Sequence, residues 1–156
     1  MFNVKLLNPA LIVINMDKKS KYDVMRELAN LLVEQEAVKP SYLQALVERE
    51  NIYPTGLQTK DIGVAIPHAD VKHVLKPSIA IATMKNSVQF NSMANPSDTL
   101  DVKMIFMLAL KEPKKQLQLL QDLVVLFQSS ELIEKMLKSN DAQTFIDVVN
   151  QIEQNG

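Results

Sequence analysis

The chain has 156 residues, 47% hydrophobic and 22% charged, a globular composition that excludes a disordered tail or a fibre. Its formal charge of −1, from 17 basic and 18 acidic residues, argues against a nucleic-acid partner held through its phosphates. No cysteine is present, so disulfide scaffolds, thiolate nucleophiles and Cys-ligated metal centres are excluded. No apolar run approaches the ~20 residues of a membrane-spanning helix. Met1–Leu7 is too short and too weakly charged for a secretory leader. The expectation is one domain over residues 1–156, cytoplasmic, with no direct insertion into a membrane.

In chain order, Leu11–Met16 is short, apolar and β-branched, and reads as a buried strand. Ser20-x-x-Asp23 resembles a capping box and opens a helix to about Val38, with Val24, Leu28, Leu31 and Leu32 at helical spacing. Pro40 suits the first turn of a second helix, which carries Leu43, Leu46 and Val47 and ends near Asn51. Residues 52–60 are a loop, marked by Pro54 and Gly56. Ile62–Ile66 is a strand that stops at Pro67-His68. Ser78–Met84 is a strand, with Val88–Phe90 pairing nearby, and residues 93–99 are a turn. Val102–Leu110 is a long apolar strand, expected at the centre of the sheet.

Three helices follow. The first opens at Glu112-Pro113 and carries Leu117, Leu120, Val124 and Phe127. The second is capped at Ser129-Ser130. The third is capped at Asn140-x-x-Gln143 and turns Phe145, Val148, Val149 and Ile152 inward. Strands grouped between helices predict an α/β fold, a mixed β-sheet flanked by helices on both faces. Hydropathy leaves the strand order open. Only Gly56, Gly63 and Gly156 occur, so no glycine-rich nucleotide loop can be built.

The two histidines, His68 and His73, lie close together in Pro67-His68-Ala69-Asp70-Val71-Lys72-His73. Pro67 ends the strand and delivers His68 at its carboxyl edge, where ligand sites of α/β sheets gather. The residues leave three readings open. His68 can be a loop residue with one local hydrogen bond. His68, Asp70 and His73 have the ligand types of a metal site in a small hydrolase, with no further His or Cys to complete it. Or a neutral His68 imidazole is a nucleophile towards phosphorus, which needs cationic or N–H donors for the phosphoryl oxygens. Arg49 and Thr55 are candidate donors. Arg49 is one of two arginines, and its fork suits a phosphoryl group; a helix C-terminus also favours a cation there for structural reasons. Asp70 either orients His68 or caps the next turn. The methionines of residues 102–110 read as core filler.

The segments Arg49-Glu50-Asn51-Ile52-Tyr53-Pro54-Thr55-Gly56-Leu57 and Gly63-Val64-Ala65-Ile66-Pro67-His68 resemble the fructose–mannitol type of IIA domain in the bacterial phosphoenolpyruvate-dependent sugar phosphotransferase system. The resemblance extends in element order from about Leu11 to Glu153. It implies that His68 accepts a phosphoryl group on Nε2 from phospho-HPr and passes it to a IIB component. It places Arg49, and less directly Thr55, at the phosphoryl oxygens. It implies no metal and no nucleotide cofactor, because the donor is an activated phosphohistidine. Association with a membrane IIC component is indirect.

The second histidine of the mannitol branch falls on Gln116, an amide that can hydrogen-bond a phosphoryl oxygen but carries no charge. Pro-His followed five residues on by His73 is similar to the galactitol branch, as are Ala69 after the histidine and a chain of this length. His73 then either helps hold the phosphoryl group or sits at the surface. The resemblance also admits a regulatory, nitrogen-type IIA module, phosphorylated at the same His68 and acting by protein binding.

Overall fold

The structure is a computed structural model that describes residues 6–155. Most of the Met1–Leu7 stretch, Gly156 and the side chains of residues 152–155, Ile152 among them, lie outside the described residues. A short 3₁₀ turn, Pro9–Leu11, leads into β1 (Ile12–Met16). Helices α1 (Lys21–Glu34) and α2 (Tyr42–Ile52) follow, then the short strands β2 (Gly56–Gln58) and β3 (Gly63–Ala65). A second 3₁₀ turn, Val71–His73, precedes β4 (Ser78–Asn91) and β5 (Thr99–Ala109). Helices α3 (Pro113–Leu126), α4 (Ser130–Leu137) and α5 (Ala142–Asn155) complete the chain.

The sheet has five strands in the order β1-β4-β5-β3-β2. β1 runs parallel to β4 and β3 parallel to β5, whereas β4–β5 and β2–β3 are antiparallel. It is therefore the mixed sheet the sequence predicts. β5 lies at its centre, and its side chains alternate between two cores. Met104, Phe106 and Leu108 pack with α3, α4 and α5; Ile105, Met107 and Ala109 pack with α1 and α2. A strand covered on both faces is apolar throughout, which explains the unbroken hydrophobic run. Phe106 anchors the second core, with its ring 5.4 Å from Phe127 and 6.2 Å from Phe145.

Local signals place most element starts. The Ser20 hydroxyl accepts from Asp23 N and Ser129 Oγ accepts from Leu132 N, so both caps stand where they are expected. For α5 the capping residue is Asp141, whose carboxylate accepts from Thr144 N at 2.7 Å, and not Asn140. The 52–60 loop contains β2, and the two pieces read at residues 78–84 and 88–90 are one strand with an irregular register between Thr83 and Val88.

α1 stops at Glu34, short of Val38, because the chain turns through a Schellman motif: Glu36 N donates to Val33 O and Ala37 N to Leu32 O. Glu36 occupies the left-handed position with φ of 56°, a conformation that costs a side-chain-bearing residue about 1 kcal/mol. Its side chain is exposed. Glu36→Gly is thus expected to stabilise the fold by about 0.5–1 kcal/mol, read as a higher urea midpoint. A lower midpoint would contradict this account of the turn.

Candidate active site

His68 lies just beyond β3, where it bridges to Leu108 near the end of β5. The segment is tied on both sides. Pro67 O accepts from Leu108 N at 3.0 Å, and Leu108 O accepts from the buried Tyr42 hydroxyl at 2.7 Å. Pro67 offers no N–H, so β3 stops and the imidazole stands at the carboxyl edge of the parallel pair.

The ring is largely covered, with 8% of the residue exposed. Its Nδ1 is 2.8 Å from Ile66 O. A carbonyl oxygen only accepts, so Nδ1 carries the proton, and Nε2 keeps its lone pair. Burial lowers the His68 pKa below its ordinary 6.5; the Ile66 carbonyl opposes this, and the nearby Arg49 charge lowers it further. At neutral pH the ring is therefore uncharged, with one nucleophilic nitrogen.

Arg49 is exposed in the last turn of α2, and its guanidinium stacks over the Tyr53 ring at 5.3 Å. The C-terminal end of the helix dipole favours a cation at that position. A planar cationic fork near a neutral imidazole has the chemistry to receive a tetrahedral dianion.

Thr55 is placed differently. It is 3% exposed, its hydroxyl donates to Glu50 Oε1 at 2.7 Å, and its own Oγ1 accepts from Ile66 N at 3.2 Å. Its one hydroxyl proton is committed, so none remains for a phosphoryl oxygen. His73 is also turned elsewhere: its Nδ1 lies 2.8 Å from Ser41 Oγ. Ser41 stands at the opposite end of α2 from Arg49, about 12 Å away along a helix rising 1.5 Å per residue. Asp70 caps the 3₁₀ turn through Lys72 N at 2.9 Å. His68, Asp70 and His73 thus each serve separate partners. Among the described residues no group of three His, Cys, Asp or Glu is placed to hold a metal, which tells against the hydrolase reading.

Gln116, in the first turn of α3, has its Oε1 buried with no hydrogen-bond partner among the described residues. A cavity of about 660 Å³ lies between Pro77, Leu110, Lys111 and α3, but neither His68 nor Arg49 lines it. Glu50 is the polar residue that sequence reasoning passed over: it is 2% exposed and takes both Thr55 donors. Its place in the Arg-Glu pair was visible, but its burial was not.

Over 140 residues the chain is 29% identical to the transcriptional regulator ManR of Bacillus subtilis, covering 88% of this chain and 20% of ManR. Over 121 residues it is 26% identical to the galactitol-specific EIIA component of Escherichia coli K12, covering 78% of this chain and 80% of that protein. Thus the chain spans about a fifth of the first relative and most of the second. In fold it is similar to the IIA subunit in the complex of enzyme IIAMtl with phosphorylated enzyme IIBMtl from Escherichia coli. The TM-score is 0.77 at 20% identity, covering 93% of this chain and 97% of that one. The family model described as phosphoenolpyruvate-dependent sugar phosphotransferase system, EIIA 2, matches residues 5–152, and the chain belongs to that family.

Proposed function

We propose that the protein is a phosphocarrier in which His68 Nε2 takes a phosphoryl group from phospho-HPr and gives it to a IIB component. The observation that carries this reading is the bond between His68 Nδ1 and Ile66 O. It fixes the proton on one nitrogen and leaves the other free to attack. In the forward step the Nε2 lone pair forms the new P–N bond while the P–N bond of the donor phosphohistidine breaks and its electron pair returns to the donor ring. No proton need leave His68 as the bond forms. Positive charge grows on its ring and is met by the Ile66 carbonyl dipole, while Arg49 faces the phosphoryl oxygens. Transfer to IIB is the same displacement in reverse.

The match to the galactitol EIIA component, at 26% identity over 121 residues, supports a galactitol-like polyol as the cargo of the whole system. The match to a transcriptional regulator favours a second reading, a regulatory module phosphorylated at the same His68. The two part at the IIB step.

The test is intact-mass spectrometry of the chain mixed with phosphoenolpyruvate, enzyme I and HPr, followed by a galactitol-type IIB protein. One acid-labile phosphoryl group should appear and then pass to IIB. Retention of the group in the presence of IIB would favour the regulatory module. No gain from an active HPr would end both readings. The pH profile follows from the depressed His68 pKa. Only the neutral ring attacks, so with the donor in excess the acid limb of the initial rate should be centred below the ordinary histidine value of 6.5. An acid limb centred above 6.5 would contradict the buried, Arg49-facing environment.

A further inference from the structure

We propose that Glu50 is a positioning residue for His68, acting through Thr55 and Ile66 to keep the imidazole proton on Nδ1 and Nε2 open. Its kinetic consequence rests on the phosphocarrier reading; its structural consequence does not.

The chain of contacts has a fixed direction. Glu50 Oε2 accepts from Thr55 N and Oε1 from Thr55 Oγ1, each at 2.7 Å. An ionised carboxylate only accepts. The single hydroxyl proton of Thr55 must therefore point at Glu50, which turns an oxygen lone pair towards Ile66 N at 3.2 Å. Ile66 is pinned by its N–H, and its carbonyl is the acceptor for His68 Nδ1 at 2.8 Å. Beyond it, Pro67 is held by Leu108 N. The link from Thr55 to His68 is mechanical: it fixes the backbone on either side of the Ile66 α-carbon and so aims one carbonyl.

The surroundings of Glu50 oppose its ionisation. Burial raises its pKa; the hydroxyl and the N–H of Thr55 and the charge of Lys21 lower it, but burial prevails. With the folded pKa raised, the stability associated with this group is greatest below its ordinary pKa of 4.5 and is lost as pH rises through the folded value. At neutral pH the carboxylate is held at a net cost. Lys21 reaches it from α1 as a long-range charge, with its amine bonded to Asn91 Oδ1. The carboxylate serves the Thr55 donors, not an ion pair. A glutamine at position 50 supplies one acceptor oxygen and turns N–H groups towards the other Thr55 donor, so the ordered direction of the chain is lost.

The experiment is nitrogen-15 NMR of the His68 ring in the wild type, Glu50→Gln, Thr55→Val and Thr55→Ser, with backbone amide spectra as a check of folding. No phosphoryl donor is needed for this arm. The wild type should show a protonated Nδ1 and an unprotonated Nε2. Glu50→Gln and Thr55→Val should show a mixed tautomer population, and Thr55→Ser, which keeps the hydroxyl, should resemble the wild type. In the transfer assay the two impaired variants should lose between about tenfold and a hundredfold in kcat, with KM for phospho-HPr unchanged, because a buried residue does not touch the donor.

Ring signals identical to wild type in Glu50→Gln and Thr55→Val overturn the proposal. Altered signals with an unchanged transfer rate overturn its kinetic half. If Glu50→Gln does not fold, the contrast between valine and serine at position 55 decides. A wild type that takes up no phosphoryl group defeats the phosphocarrier reading, while the NMR arm still reports on Glu50.

Discussion

His68→Ala is expected to gain no mass when mixed with phosphoenolpyruvate, enzyme I and HPr, a loss of more than about a thousandfold in the rate of phosphoryl uptake. The reasoning is chemical. The step needs a neutral nitrogen with a free lone pair, and the Nδ1 bond to Ile66 O makes His68 Nε2 such an atom. Alanine supplies none. It also leaves the Ile66 carbonyl without its ring partner, a cost of about 1–3 kcal/mol if no water replaces it, which the fold should survive. His68→Gln provides the control, because its amide can still donate to that carbonyl but cannot carry a labile phosphoryl group. The same assay separates the two histidines. His73→Ala removes a ring bound to Ser41 at the far end of α2 and should accept the group at a rate close to wild type. Acid-labile uptake by His68→Ala would show that the accepting nitrogen lies elsewhere.

The layers of the fold were legible because they depend on short-range pattern. β5 reads as central from an unbroken apolar run, and the structure places it third of five strands. The order β1-β4-β5-β3-β2 was not legible, since it depends on pairings between strands far apart in sequence. β2 was missed because three residues on a sheet edge carry no usable periodicity, and Pro54 and Gly56 read as a loop. Helix α3 shows where pattern is ambiguous. Leucine and valine occupy most of its circumference, so a stripe of Leu117, Leu120, Val124 and Phe127 fits helical spacing. Packing buries Phe127 as expected but takes Leu119, Leu123 and Leu126 with it, leaving Leu117 and Val124 exposed. Tertiary contacts chose between stripes that propensity could not rank.

At the site, the sequence exposed what local order determines. Pro67 ending an apolar strand fixes where His68 emerges, and the end of α2 near Asn51 puts Arg49 in its last turn. Side-chain direction is not written in local order. Thr55 looks like a donor to phosphate in a loop, yet in three dimensions it is buried and points back five residues to Glu50. His73 is five residues from His68 in sequence, but the 3₁₀ turn capped by Asp70 carries its ring to Ser41. In both cases the loop path, set by contacts with α2, decides where a polar group is used.

The second large effect is expected at Arg49. Arg49→Gln should slow phosphoryl acceptance by about a hundredfold to a thousandfold, the loss typical of removing one transition-state donor. Arg49→Lys should fall between this variant and the wild type: it keeps the charge but not the planar fork that grips two oxygens at once. The stack on Tyr53 at 5.3 Å holds that fork in place before the donor arrives, an advantage a lysine ammonium gains less from. Folding should be little affected, since an exposed cation at a helix C-terminus contributes only about 0.3–1 kcal/mol. The pH profile divides charge from geometry. Arg49 lowers the His68 pKa, so Arg49→Gln should move the acid limb upward towards 6.5, whereas Arg49→Lys should leave it near the wild-type position. A loss of rate in Arg49→Gln with no movement of the limb would mean that the guanidinium acts on the phosphoryl group alone. Wild-type rates in both variants would remove Arg49 from the site.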